Sequence, residues 1–257
     1  MIDTSGVRRL ARSSRFASAR SSFSAAMVPL VVALGVTAGA LAGCGPSIDP
    51  ALRADIDRRV AMLAPGGQNV PAPAGFLPRP LVVGQWTQYK MVDGNGQPGF
   101  MTTKIVGADA DAFWIETTHE GYTGKTTTKM LVFIGDRLNP QSFEIRALRM
   151  RDRNGNVNEI NPQMLQMMQG MYRSALSMLS LSWQGQPQED AVVPAGVFAG
   201  CFKAQTDAAW GPWRAASVSW SHPAVPISGL VKSQGIDHPT TMELVAYGDT
   251  GAESELP

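Results

Sequence analysis

Between Gln85 and Ile134 the chain repeats one pattern: a short run rich in Val, Ile, Thr, Trp, Tyr and Phe, followed by a cluster of turn residues. The runs are Gln85 to Val92, Phe100 to Val106, Ala112 to His119 and Lys125 to Ile134. The breaks hold Asp93-Gly94-Asn95-Gly96, Asp109 to Asp111 and Gly121-Tyr122-Thr123-Gly124. Strand-forming residues closed by Gly, Asn and Asp make antiparallel hairpins, and consecutive hairpins make a meander. Ser142 to Arg151, Val197 to Thr206, Ala215 to Trp220 and Thr241 to Tyr247 read the same way, giving roughly eight strands, with Gly229 to Ser233 as a short extra one. No strand-helix-strand rhythm is present, which argues against a parallel sheet.

One segment breaks the pattern. Asn161-Pro162 opens QMLQMMQGMYRSALSMLSLSW, where Leu165, Met168, Tyr172, Ala175, Leu176, Leu179 and Trp183 recur at helical spacing. One face of such a helix must pack on the sheet. The fold expected is mainly β (α+β): a curved antiparallel sheet or half-barrel covered by one Met-rich helix over about 162–183. Met164, Met167, Met168, Met171 and Met178 are flexible and polarizable, suited to an apolar ligand of irregular shape. The alternative is that they fill the space between helix and sheet.

Ahead of these elements lies a basic leader, with Arg8, Arg9, Arg12, Arg15 and Arg20 against Asp3, and then an apolar run from Ala25 to Ala42. This is the order of charge and hydrophobicity in an export signal. The run is nearly long enough to span a bilayer, so an uncleaved anchor is the alternative. Pro29, Gly35 and Gly39 weaken it as a permanent helix, and small residues close it. It ends in Leu41-Ala42-Gly43-Cys44. In that context the four residues resemble the lipobox of bacterial lipoproteins. The resemblance implies diacylation of the Cys44 thiol, cleavage between Gly43 and Cys44, and a membrane partner held through the lipid.

The domain organisation that follows is a signal peptide over 1–43, a lipidated N-terminus over 44–80, an antiparallel β domain over 81–249 and a polar tail over 250–257. Within 44–80, Asp49-Pro50 starts a short helix with Leu52, Ile56, Val60 and Leu63 on one face. Residues 64–80, APGGQNVPAPAGFLPRP, read as an extended tether. Gly45 stands after the cysteine, where enteric lipoproteins kept at the inner membrane commonly carry aspartate, so the outer membrane facing the periplasm is the expected location. With Cys44 lipidated, Cys201 has no partner for an internal disulfide. Of 22 Lys and Arg and 21 Asp and Glu, the five leader arginines and Asp3 precede Cys44, leaving a formal balance of −3. A nucleic-acid partner is therefore not expected.

Catalytic templates find no match. His119, His222 and His238 are scattered, with no HExxH, so no metal site is expected, and no cofactor. No G-x-S-x-G elbow or phosphate-cradling loop occurs. Asp109 with Asp111, and Glu189 with Asp190, fall in expected loops and read as solvated surface. Cys201, in VFAGCFKAQ, reads as a small buried hydrophobe without a base beside it.

From Val193 to Gly248 the chain carries Val193-Pro194-Ala195-Gly196-Val197-Phe198, Cys201-Phe202-Lys203, Trp220, Val225-Pro226, Gly229-Leu230-Val231-Lys232-Ser233, Met242-Glu243-Leu244 and Tyr247-Gly248. This cadence resembles exported bacterial domains of the LolA/LolB-like half-barrel type. The resemblance implies a concave sheet and covering helix around an apolar cavity able to hold acyl chains; no active site transfers with it. Two functions remain open: a non-enzymatic, membrane-anchored module binding a lipid or other apolar ligand, and a structural lipoprotein with a filled core. The second would meet an envelope protein partner through a sheet edge or through Trp210 and Trp213.

Overall fold

The computed structural model describes residues 48–257 apart from 76, 78, 138, 140, 141, 167–184, 211 and 212, with backbone alone at 206–210 and 213–215. One helix, α1 (Pro50–Ala61), precedes β1 (Gln68–Val70), β2 (Trp86–Val92), β3 (Pro98–Asp109), β4 (Ala112–Gly121), β5 (Gly124–Ile134) and β6 (Phe143–Arg151). There follow β7 (Val157–Glu159), β8 (Gln188–Val193), β9 (Gly196–Trp210), β10 (Trp213–Ser221), β11 (Leu230–Gly235) and β12 (Thr241–Gly248). All twelve strands belong to one open curved sheet in the order β1-β9-β10-β11-β12-β2-β3-β4-β5-β6-β7. β8 pairs β9 off that path. Every pairing is antiparallel except β1 with β9.

The strand count corrects the expected eight. Beyond the eight and the short extra strand, now β11, stand β1, β7 and β8, which carry no alternating apolar pattern and form by pairing along β9 and β6. Glu189 and Asp190 therefore lie in a strand, not a loop.

The reading of 64–80 as a tether is also corrected for its described part, which is docked. Gln68, Asn69 and Val70 pair in register with Gly196, Val197 and Phe198, and Val70 packs on the core. Gly196 permits this approach, because a Cβ there would collide with the Gln68 backbone. Farther along, Arg137 donates to the carbonyls of Arg79 and Ile227, both at 2.5 Å, and Gln85 donates to that of Pro80 at 3.1 Å. Composition suggested a free spacer; backbone partners on the sheet decided otherwise.

α1 forms where Asp49-Pro50 announces a helix. The Asp49 carboxylate accepts the Ala51 and Leu52 amides at 2.9 and 3.3 Å, while its own N–H donates to the Tyr122 carbonyl at 3.0 Å. Ile56 is fully buried against Phe100 and Tyr122, flanked by Leu52, Val60 and Leu63. Burying one such side chain is worth about 1.5–3 kcal/mol, enough to hold a short helix on a sheet.

Side chains directly opposed across a ladder share a face, as do residues two apart along a strand. On the α1 face, Lys203, Trp220, Lys232, Glu243, Lys90, Phe100, Glu120 and Lys125 form one row across eight strands. A second charged row, Trp86, Lys104, Glu116, Lys129, Arg149 and Glu159, runs parallel to it, with Gln88, Thr102, Thr118, Thr127 and Arg151 between the two. The C-terminal segment lies on this face, correcting its reading as a polar tail. Leu256 is 3 % exposed, and the fully buried Glu116 accepts from Ser254 Oγ at 2.8 Å and from the amides of Glu255 and Leu256 at 2.9 and 3.1 Å. Lys129 donates to the Leu256 carbonyl at 2.8 Å, and Arg151 to that of Glu255 at 2.8 Å.

The strands end on two rims. The Tyr122 rim carries the turns at 93–97, 121–124, 152–156 and 236–240; the His222 rim carries 82–85, 109–112, 135–142 and 222–229.

Candidate functional site

The face opposite α1 receives the start of the Met-rich run. Residues 162–166 are helical, with Asn161 Oδ1 accepting the Met164 amide at 2.8 Å and the Asn161 carbonyl accepting that of Leu165 at 3.0 Å. This is the expected helix start. Leu165 is 5 % exposed and packs with Ile105, Ile115, Val132, Leu148 and Ile227, so the run begins on the sheet as its periodicity implied. Met164 points away, 46 % exposed. Met167, Met168, Met171 and Met178 lie outside the described residues, as do Gly43 and Cys44.

Rows on this face grade from apolar to mixed. Ile105, Ile115, Met130 and Leu148 form the row nearest Leu165. Next come Thr87, Thr103, Thr117, Thr128 and Met150, with the Thr103 and Thr117 hydroxyls 3.4 Å apart. Leu244, Tyr89, Met101, His119 and Thr126 form the third. Tyr89 donates to the Leu230 carbonyl at 2.9 Å, and burial pushes its phenol up to about 12. Burial pushes His119 down to about 4, so its imidazole is neutral at physiological pH. Sequence reasoning passed over this surface, although Thr126-Thr127-Thr128 and the spacing of Met101, Met130 and Met150 were visible; cross-strand register alone sets them side by side.

The other candidate groups serve the fold. Cys201 is fully buried, its thiol pushed up to about 12 by desolvation and donating to the Phe198 carbonyl at 3.5 Å. His222 accepts from the Ala224 amide at 3.1 Å and meets the Pro71 carbonyl at 3.1 Å, which fastens the 70–77 segment to the 222–229 loop. Asp111 is chelated by Arg146, whose hydrogen bond lowers the carboxyl, and Glu189 pairs Lys203 at 2.6 Å with the same effect. Asp190 accepts the Gly200 amide at 2.8 Å. Among the described residues no group of His, Cys, Asp and Glu is arranged to hold a metal, and no helix is long and apolar enough to cross a membrane. Trp210 and Trp213 stand opposite each other in the β9–β10 register.

An open apolar groove of about 460 Å³ separates the docked segment from the His222 loop, lined by Val70, Pro71, Pro73, Leu77, His222 and Ala224. That loop is strained at Ile227, a β-branched residue with φ of 65°. No family model, no curated protein and no solved structure matches this chain.

Proposed function

We propose that this protein is a non-enzymatic lipoprotein of the cell envelope, anchored through a lipid on Cys44, whose sheet face at Leu165 and the Met-rich run binds a lipid chain or another apolar group. The anchoring rests on Leu41-Ala42-Gly43-Cys44 placed after a basic leader and an apolar run. The binding reading rests on one observation. The described start of the helix docks through Leu165 onto an apolar row, and in the rows beyond it Thr103, Thr117, Thr128, Met150, Thr126 and the neutral His119 are only half-buried, beside the core residues Tyr89, Met101 and Leu244, so an apolar chain has that strip to lie along. The absence of catalysis in this reading is supported by the structural roles that the carboxylate pairs and Cys201 already fill.

The anchoring test is labelled fatty acid: Cys44→Ser should receive none, and label on that variant refutes the lipobox. For the ligand, mass spectrometry of the protein after mild extraction should show a co-purifying lipid. In a fragment starting at Ile48, which keeps the docked α1 and β1, changing Met167, Met168 and Met171 to leucine should weaken retention of an apolar probe with little change in stability. No probe binding by the unmutated fragment, with a clear stability loss in the triple variant, would leave a filled core and the interaction module as the better reading.

A further inference from the structure

We infer that the Tyr122 rim is the surface this protein turns toward a phospholipid bilayer, an orientation that rests on lipidation at Cys44. Only Gly45, Pro46, Ser47 and Ile48 separate Cys44 from Asp49. A fully extended chain advances no more than about 3.6 Å per residue, so the Cys44 Cα lies within about 18 Å of that of Asp49. Asp49 itself is fixed: its amide is hydrogen-bonded to the Tyr122 carbonyl in the β4–β5 turn, and its carboxylate caps α1. The Pro- and Gly-rich segment that would have allowed the domain to drift lies after α1, and its described part is docked on the sheet. The lipid therefore pulls on the Tyr122 rim directly.

Strand length separates the rims. β3 and β4 run twelve and ten residues, or about 33–40 Å at the usual rise, which exceeds the reach of the linker. Exposed apolar side chains stand at both rims, Leu77, Val82 and Val83 at the His222 end and Ile48, Val157 and Ile236 at the Tyr122 end, so the tie to Cys44 decides which set meets the bilayer. Between the latter three the turns are polar. Asp93 and Asp152 each accept two backbone amides within their own turns, which keeps these tips rigid at headgroup level. The partner that fits is a headgroup layer with shallow insertion of isolated aliphatic side chains.

The test uses the lipidated full chain extracted from its own membranes, in a Cys201→Ser background, with Val157→Cys, Ile236→Cys or Val83→Cys made separately. Val83 is an exposed position on the His222 rim and serves as the comparison. Each thiol is labelled with one fluorophore, and the protein is reconstituted in phosphatidylethanolamine and phosphatidylglycerol vesicles doped with a nitroxide-headgroup lipid. Quenching is expected to be several-fold stronger at positions 157 and 236 than at 83. Equal quenching at all three, or stronger quenching at 83, on protein whose intact mass carries the Cys44 lipid overturns the orientation alone. An intact mass without that lipid removes the lipoprotein reading and this inference with it.

Discussion

On the α1 face the sheet buries Glu116 completely and surrounds it with donors from Ser254, Glu255 and Leu256; on the opposite face the fully buried positions clustered with Leu165 are Ile105, Val132, Phe143 and Leu148. The first face is held by matched partners and the second by apolar area. Rows of alternating charge, with Lys203 and Lys232 each 5–6 Å from the Trp220 ring, tolerate burial because each cation finds a carboxylate, carbonyl or aromatic ring. The apolar face is held mainly by area, with few polar contacts such as Tyr89 to the Leu230 carbonyl. The comparison also explains why the C-terminal segment sits where it does: its amides and carbonyls complete the charged face.

The sharpest way to break the comparison is Glu116→Ala. It strips the acceptor from the buried Leu256 amide and the part-buried Ser254 hydroxyl and Glu255 amide, and leaves Lys104, 3.9 Å away, without that fully buried carboxylate, so unfolding in urea should show a loss of about 3–5 kcal/mol. A change below about 1 kcal/mol would mean that the C-terminal segment is not held through this carboxylate. On the other face, Leu165→Ala removes apolar area and leaves a gap, and should cost about 2–3 kcal/mol by the same measurement. It should lower apolar-probe retention more than Glu116→Ala does when both are compared at equal fractions folded.

A smaller effect belongs to His119. Its folded value of about 4 lies below its ordinary 6.5, so between those pH values the unfolded chain binds more protons. Its contribution is complete above pH 6.5 and is lost as the pH falls toward 4. The ceiling is about 1.4 kcal/mol per pH unit; for this half-buried ring the expected total is about 1–2 kcal/mol. His222 is lowered in the same sense by its own burial, so the difference between the parent and His119→Gln isolates the ring on the sheet face. Identical stability-pH curves for the two proteins would refute the assignment. Smallest of all is Glu189→Gln, which removes an exposed pair with Lys203 and should leave the unfolding midpoint where it was.

The long strands were legible because each carries its own signal. β2 through β6 and β9 through β12 have alternating or β-branched runs and turn residues at their ends, so local chemistry suffices to name them. β1, QNV, and β7, VNE, are three residues long and largely exposed, and β8 begins QED; nothing in them prefers a strand until β9 or β6 offers an unpaired edge. The candidate site divides in the same way. Leu165 and the helix start were readable from Asn161-Pro162 and the helical spacing, whereas the neighbours of His119, namely Met101 and Thr126, come from strands that only the register aligns.

The sequence by itself determined the meander and the helix starts at Asp49 and Asn161, because each depends on residues within a turn or two of one another. Tertiary structure alone decided that Gln68 to Val70 joins the sheet, that Glu116 is buried, and that Leu256 is core rather than tail. Those outcomes depend on donors and acceptors far apart in the chain. The Glu116 carboxylate needs the amides of Glu255 and Leu256, and the Gln68 backbone needs the open approach at Gly196; in each case one partner says nothing about the other until the sheet brings them within hydrogen-bonding distance.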